Sequence, residues 1–95
     1  MQIELSDQVV AFVRRLAPQP RQALRSALRS LAEGRGDIRA LEADLAGFYR
    51  LRVSRFRVIF HYVLKDNRRI LRCEFVEERS LVYQVYAEMA RHLKS

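Results

Sequence analysis

Phe48 to Val63 reads FYRLRVSRFRVIFHYV, and the fold turns on this stretch. Apolar and cationic residues alternate through Tyr49-Arg50-Leu51-Arg52-Val53, the period of a half-buried β-strand. The run from Phe56 to Val63 is rich in β-branched and aromatic residues and predicts the next strand. Only Ser54 and Arg55 separate the two, which makes an antiparallel hairpin. With those residues as the loop, Val53 faces Phe56, Arg52 faces Arg57, Leu51 faces Val58 and Tyr49 faces Phe60. A four-residue loop keeps that parity and a three-residue loop breaks it. Ser-Arg is poor chemistry for a type I′ turn.

In this register Leu51, Val53, Phe56, Val58, Phe60 and Tyr62 line one face as core. Arg50, Arg52, Arg57 and His61 share the other with Ile59 and Val63. The stretch holds four arginines and no carboxylate. Like charges directly opposite on a sheet repel, so the Arg52/Arg57 pair marks either a solvated basic face or a place where an anion binds.

Working outward, 95 residues are enough for one core, and the expectation is a single domain over residues 1–95. A hydrophobic fraction of 49% with three glycines and two prolines excludes disorder. No apolar run reaches the length of a membrane span, and no signal-peptide pattern precedes the amphipathic sequence, so a cytoplasmic protein is expected. Cys73 is the one cysteine, which rules out an internal disulfide and a cysteine-based zinc cluster; its strand context predicts a buried thiol. Of the net charge of +7, residues 1–47 contribute +1 (seven Arg, six Asp/Glu) and residues 48–95 contribute +6 (eleven Lys/Arg, five Asp/Glu). That asymmetry points to a polyanionic partner.

Before the hairpin, Met1–Leu5 predicts a short strand. Ser6 and Asp7 are N-cap types ahead of Val9, Val10, Phe12, Val13 and Leu16 at helical spacing. Pro20 suits the first position of a second helix, with Ala23, Leu24, Ala27, Leu28 and Leu31 inward and Gly34 as its stop. Arg21, Arg25 and Arg29 recur on its outer side, as a solvated face or a contact for nucleic-acid backbone. Residues 36–47 read as a connector pinned by Ile38, Leu41 and Leu45, with Glu42 and Asp44 able to neutralise part of the basic cluster. Beyond the hairpin, Lys65-Asp66-Asn67-Arg68 makes a turn. Arg69–Glu77 is a strand with Leu71, Cys73 and Phe75 inward. Ser80 is a candidate N-cap for a last helix that carries Val82, Val85, Tyr86, Met89 and Leu93 on one side. The order is βααβββα, an α+β domain with helices on one face of an antiparallel-rich sheet.

No Gly-rich phosphate loop is present, and His61 and His92 lack metal-ligand spacing to each other or to Cys73. Neither a metal nor a cofactor is expected. What remains is Arg50, Arg52 and Arg57 on one sheet face, with Arg79 and Tyr83 where the last strand meets the helix. Such a group suits cleavage of RNA by its own 2′-hydroxyl. That reaction needs a proton removed, a dianionic pentacoordinate phosphate stabilised, and the 5′-oxygen protonated. Arginines supply the second requirement but titrate above about 12, too high for a general base. Glu42, Asp44, Glu74, Glu78, His61 and Tyr83 are the alternatives for proton transfer.

The chain resembles the RelE/ParE superfamily of bacterial type II toxins, and its RelE-like branch more closely. The resemblance rests on the element order, on Leu45-Ala-Gly-Phe-Tyr-Arg-Leu-Arg-Val, on Phe56-Arg-Val-Ile-Phe and on Glu78-Arg-Ser-Leu-Val-Tyr83. It implies a RelE-like microbial ribonuclease fold and a toxin that cuts mRNA in the ribosomal A site. It also implies metal-independent 2′-hydroxyl attack leaving a 2′,3′-cyclic phosphate. The partners implied are a cognate antitoxin, the ribosome with bound mRNA, and operator DNA only through the antitoxin complex. By position, Arg50 and Arg52 fall where RelE proteins carry basic residues. Arg57 matches the arginine of their "YRV" signature, Arg79 the arginine after the last strand, and Tyr83 the tyrosine that follows, with Tyr86 a competing match. Several relatives have lysine on the first central strand where this chain has arginine twice. ParE-like members, which poison DNA gyrase, are the rival reading, and a non-catalytic binding module is a third.

Overall fold

The structure, a computed structural model, describes residues 1–94. Its elements are β1 (Ile3–Leu5), α1 (Asp7–Arg15), α2 (Pro18–Ala32), β2 (Asp37–Ala40), a 3-10 turn (Ala43–Leu45), β3 (Phe48–Val53), β4 (Phe56–Lys65), β5 (Arg68–Glu78) and α3 (Val82–Lys94). The strands form one mixed sheet in the order β1-β5-β4-β3-β2, with β1 parallel to β5 and the other pairs antiparallel.

The β3–β4 hairpin has the expected register throughout: Val53 opposite Phe56, Arg52 opposite Arg57, Leu51 opposite Val58, Tyr49 opposite Phe60. Its loop solves the Ser-Arg problem by placing only Ser54 at positive φ (53°), whereas a type I′ turn needs both central residues there. The next turn does have Asp66 and Asn67 both at positive φ, a conformation their short polar side chains tolerate.

Leu51, Phe56, Val58 and Phe60 bury one face of the sheet against α1 and α2, together with Val9, Val13, Leu24, Leu28, Leu31, Leu71, Cys73 and Val76. Ser6 caps α1 by accepting from the Val9 amide at 3.3 Å, and its hydroxyl donates to the Glu74 carbonyl at 2.6 Å. Gln8 then bonds both the amide and the carbonyl of Val76 at 2.9 Å. These two side chains satisfy the β5 edge beyond the end of β1, where the backbone would otherwise lack partners.

Four expectations are revised. Residues 37–40, read as connector, are a fully exposed edge strand paired with β3, so the order gains a strand. α2 begins at Pro18, with Ala23 exposed. The register of β4 against β5 slips between Ile59 (opposite Phe75) and Phe60 (opposite Cys73), so Glu74 is an extra, bulged residue. The bulge turns Phe75 away from Leu71 and Cys73 to the second face. There it joins Phe48, Ile59, Leu45, Val82, Val85, Tyr86 and Met89 in a separate core. Consequently α3 covers the face opposite α1 and α2, and the sheet is enclosed between helical layers instead of bearing helices on one side.

The α3 stripe is otherwise as expected for Val82, Val85, Tyr86 and Met89; the side chain of Leu93 lies outside those described. Its first helical amides, of Gln84 and Val85, donate to the Leu81 carbonyl, so Leu81 and not Ser80 precedes the helix. Cys73 is fully buried, and burial pushes its thiol up to about 12.

Candidate functional site

The second face of the sheet has two halves, divided by the apolar ridge of Phe48, Ile59 and Phe75 under α3. On one side of the ridge lie the arginines. Strand alternation puts Arg50, Arg52 and Arg57 on this face, and the β2–β3 register adds Arg39 opposite Arg50 and Asp37 opposite Arg52. Arg79 enters from the end of β5, where its backbone amide donates to the Arg55 carbonyl at 2.7 Å and ties the strand end to the hairpin loop.

Arg57 is at the centre and is 5% exposed. Its Nη1 donates to the Ser54 and Phe56 carbonyls, each at 2.8 Å, so the guanidinium also braces the hairpin turn. Burial lowers its proton affinity first, and the charges of Arg52, Arg50 and Arg79 lower it further, partly offset by Tyr86. Arg50, Arg52 and Arg79 are therefore each close enough to Arg57 to act on it electrostatically. Arg50 meets Asp37 diagonally across β2–β3 at 3.5 Å, and its Nε is buried with no hydrogen-bond partner. Arg52 and Arg79 are exposed. Glu77 stands across from Arg57 on β5, yet the buried Arg50 Nε is left without a partner, a donor suited to a bound anion.

Of the two tyrosines that match the family position, Tyr86 lies on the inward stripe of α3 and Tyr83 does not. Tyr83 is 76% exposed at the rim, and its ring meets that of Tyr86 edge-on at 5.9 Å. Tyr86 is half-buried beside the arginines. Burial raises its phenol above the ordinary value, Arg50 and Arg57 pull it back, and Tyr83 adds to the rise. The phenol therefore keeps its proton at neutral pH. The signal for this was the stripe itself: Tyr86 shares a helical face with Val82 and Met89, and Tyr83 does not. Arg39 carried no such signal, because nothing marked its segment as a strand.

Beyond the ridge sits a separate polar network. His61 Nε2 and Glu74 share a hydrogen bond at 2.8 Å, the His61 ring stacks on Phe48 at 4.5 Å, and Arg72 bonds Glu74 at 3.0 Å and also Glu4. His61 is four residues along β4 from Arg57, about 13 Å at strand rise. His61 and Glu74 are therefore bonded to each other and distant from the arginines. Glu78 lies 3.8 Å from Arg55 at the hairpin turn, and Glu42 is exposed ahead of the 3-10 turn. Among the described residues no group of three His, Cys, Asp or Glu side chains gathers where it could hold a metal ion.

No protein-family model matches the sequence, and no curated protein is significantly similar to it. Solved structures are similar. The RelB–RelE antitoxin–toxin complex from Methanococcus jannaschii contains a chain that superposes with a TM-score of 0.61 at 15% identity, over 87% of this chain and 98% of that one. The RelE–RelB complex from Pyrococcus horikoshii gives 0.61 at 21% identity, over 82% and 93%. This chain has the RelE/ParE toxin fold. A YoeB/ParE toxin from Agrobacterium tumefaciens shares it too, with a TM-score of 0.58 at 17% identity over 82% and 98%. The RelE/ParE fold thus extends over most of the chain. Among the described residues no helix is long and apolar enough to cross a membrane.

Proposed function

We propose that the chain is a RelE-like toxin, a ribosome-dependent endoribonuclease that acts in the cytoplasm on mRNA and is held inactive by a cognate antitoxin. The observation that carries this reading is the group of Arg50, Arg52, Arg57 and Arg79 with Tyr86 beside Arg50 and Arg57, in which Arg50 pairs with Asp37 at 3.5 Å and Glu77 stands across from Arg57. The fold, shared with chains solved in RelB–RelE complexes, supports both the toxin and the antitoxin.

In the proposed reaction the 2′-hydroxyl gives its proton to water as its oxygen attacks phosphorus, the P–O5′ bond breaks to leave a 5′-hydroxyl, and a 2′,3′-cyclic phosphate forms. Arg50, Arg52 and Arg79 stabilise the dianionic phosphorane, an effect worth several kcal/mol when donors are fixed in advance. Arg57, braced on the turn carbonyls, sets their background charge and holds the hairpin that positions them. Tyr86, protonated, gives its proton to the departing 5′-oxygen, and exposed Tyr83 is free to stack on a neighbouring base. The ribosome contributes the bent mRNA geometry that in-line attack requires. An acidic antitoxin segment would be drawn to the same arginine face.

Primer extension on mRNA from a translating extract, beside a gyrase supercoiling assay, tests this reading. Cleavage at ribosome-bound codons is expected, with loss in Arg52→Ala and Arg79→Ala, whose exposed side chains leave the fold intact. Unchanged cleavage in both variants sinks the site. Loss of supercoiling without cleavage assigns the chain to the gyrase-directed ParE reading, which the Agrobacterium neighbour keeps open.

A further inference from the structure

A second basic surface lies away from the arginine cluster. Arg21, Arg25 and Arg29 recur every fourth residue of α2. Each step advances about 6 Å along the helix and about 40° around it, so the three guanidinium groups run as a stripe along one flank. α2 rests Leu24, Leu28 and Leu31 on the first face of the sheet, and the cluster occupies the second, so the two basic surfaces are on opposite sides of it. No acidic residue occurs between Asp7 and Glu33. Among the described residues, the arginines that form ion pairs with carboxylates are Arg35, Arg50, Arg55, Arg72 and Arg91, none of them in the stripe. Arg25 and Arg29 are exposed, and Pro18 and Gln22 complete a shallow trough beside them.

We propose that the α2 stripe binds the phosphodiester backbone of nucleic acid without reading its sequence. The flank lacks what other polyanions would need. Its exposed neighbours are Pro18, Gln19, Gln22 and Ser26, so a protein partner finds one proline and no aromatic or long aliphatic anchor of the kind that dominates protein interfaces. An anionic membrane finds no large apolar side chain to insert. Phosphates need only fixed positive charge and donors, and arginine offers both in a bidentate fork.

The test is polarisation binding to a labelled RNA hairpin and to a DNA duplex of equal length, each between about 50 and 300 mM salt. Each phosphate neutralised contributes close to one unit of slope in log K against log salt. The variant Arg21→Gln/Arg25→Gln/Arg29→Gln is expected to flatten the slope by about 2 to 3 and to weaken low-salt binding about tenfold or more, on at least one probe. Glutamine matches arginine in helix propensity, so α2 persists. A variant with the same net charge, Arg35→Gln/Arg68→Gln/Arg91→Gln, should lose much less. Equal loss in the two variants overturns the proposal, because affinity would then follow total charge; no loss in the stripe variant overturns it also. Arg21→Lys/Arg25→Lys/Arg29→Lys should keep most of the binding. The measurement needs no cleavage, so it stands apart from the nuclease reading: a chain that cuts no RNA could still pass, and one that cuts RNA could fail.

Discussion

At the scale of single residues, the two tyrosines separate fold from chemistry. Burial raises the Tyr86 phenol, with Arg50 and Arg57 opposing, so the protonated form persists through neutral pH. A proton donor of this kind typically contributes 10²–10⁴-fold. Tyr86→Phe should therefore cut the cleavage rate about a hundredfold or more, while Tyr83→Phe, which alters an exposed hydroxyl, should change it less than about threefold. The proton-bearing form is lost as pH rises through the folded value, so activity should hold at neutral pH and decline only on the alkaline side, near or above the ordinary phenol value of 10.0. Single-turnover rates across pH check both points; an equal loss in the two variants would remove Tyr86 from its role. The arginines were legible because alternation fixes which side chains share a face. The tyrosine was ambiguous because motif spacing favoured position 83 and helical phase favoured position 86, and in a folded chain the phase decides what faces the sheet.

At the scale of elements, the hairpin was fully readable and its neighbours were not. Parity over six paired positions admits one register with the apolar residues inward. By contrast, Asp37-Ile-Arg-Ala is short and exposed along its whole length, so no burial pattern distinguishes it from a loop. Glu74 in RILRCEFVE interrupts an alternation that looks continuous, and a bulge leaves no mark in composition. Its effect is large: one extra residue sends Phe75 to the second face and builds the seat of α3. The same bulge aims Glu74 at Arg72, which joins β5 to Glu4 on β1. Hydrogen bonds from Lys65 and Arg72 hold the Glu4 carboxyl below its ordinary value of 4.5. A depressed carboxyl stabilises the fold above its unfolded value, and that contribution disappears as pH falls through the folded value. Urea midpoints should therefore drop as pH is lowered below about 4.5, and Glu4→Gln should remove part of that dependence while costing stability at neutral pH. A pH profile identical in Glu4→Gln would mean that β1 is held by its backbone pairing alone.

At the scale of the whole molecule, the question is why a chain of this size tolerates so much like charge. The net charge is +7, and the ion pairs include exposed ones such as Arg35–Glu33 and Arg91–Glu88, a class worth about 0–1 kcal/mol each and weakened by salt. Against them stands the repulsion of Arg57 by Arg50, Arg52 and Arg79, tempered by Asp37 beside Arg50 and by Glu77 across from Arg57. Screening relieves repulsion as readily as it weakens attraction where charges meet solvent, and Arg52 and Arg79 are exposed beside the buried Arg57. Stability should accordingly rise between about 20 and 300 mM sodium chloride, a range over which the screening length falls below about 10 Å. Arg52 offers the probe, because it is exposed and stands directly across from Arg57 on β4, with Asp37 across from it on β2. Arg52→Gln should raise the low-salt urea midpoint by the equivalent of about 0.2–1 kcal/mol, the scale of a like-charge cross-strand pair, with the gain shrinking at high salt. The same variant should lose cleavage. A gain in stability bought by a loss of activity is the signature of a face kept unsatisfied for its ligand. If Arg52→Gln instead destabilised the protein at every salt concentration, the arginines would be a structural network, and the site would have to be sought elsewhere on the sheet.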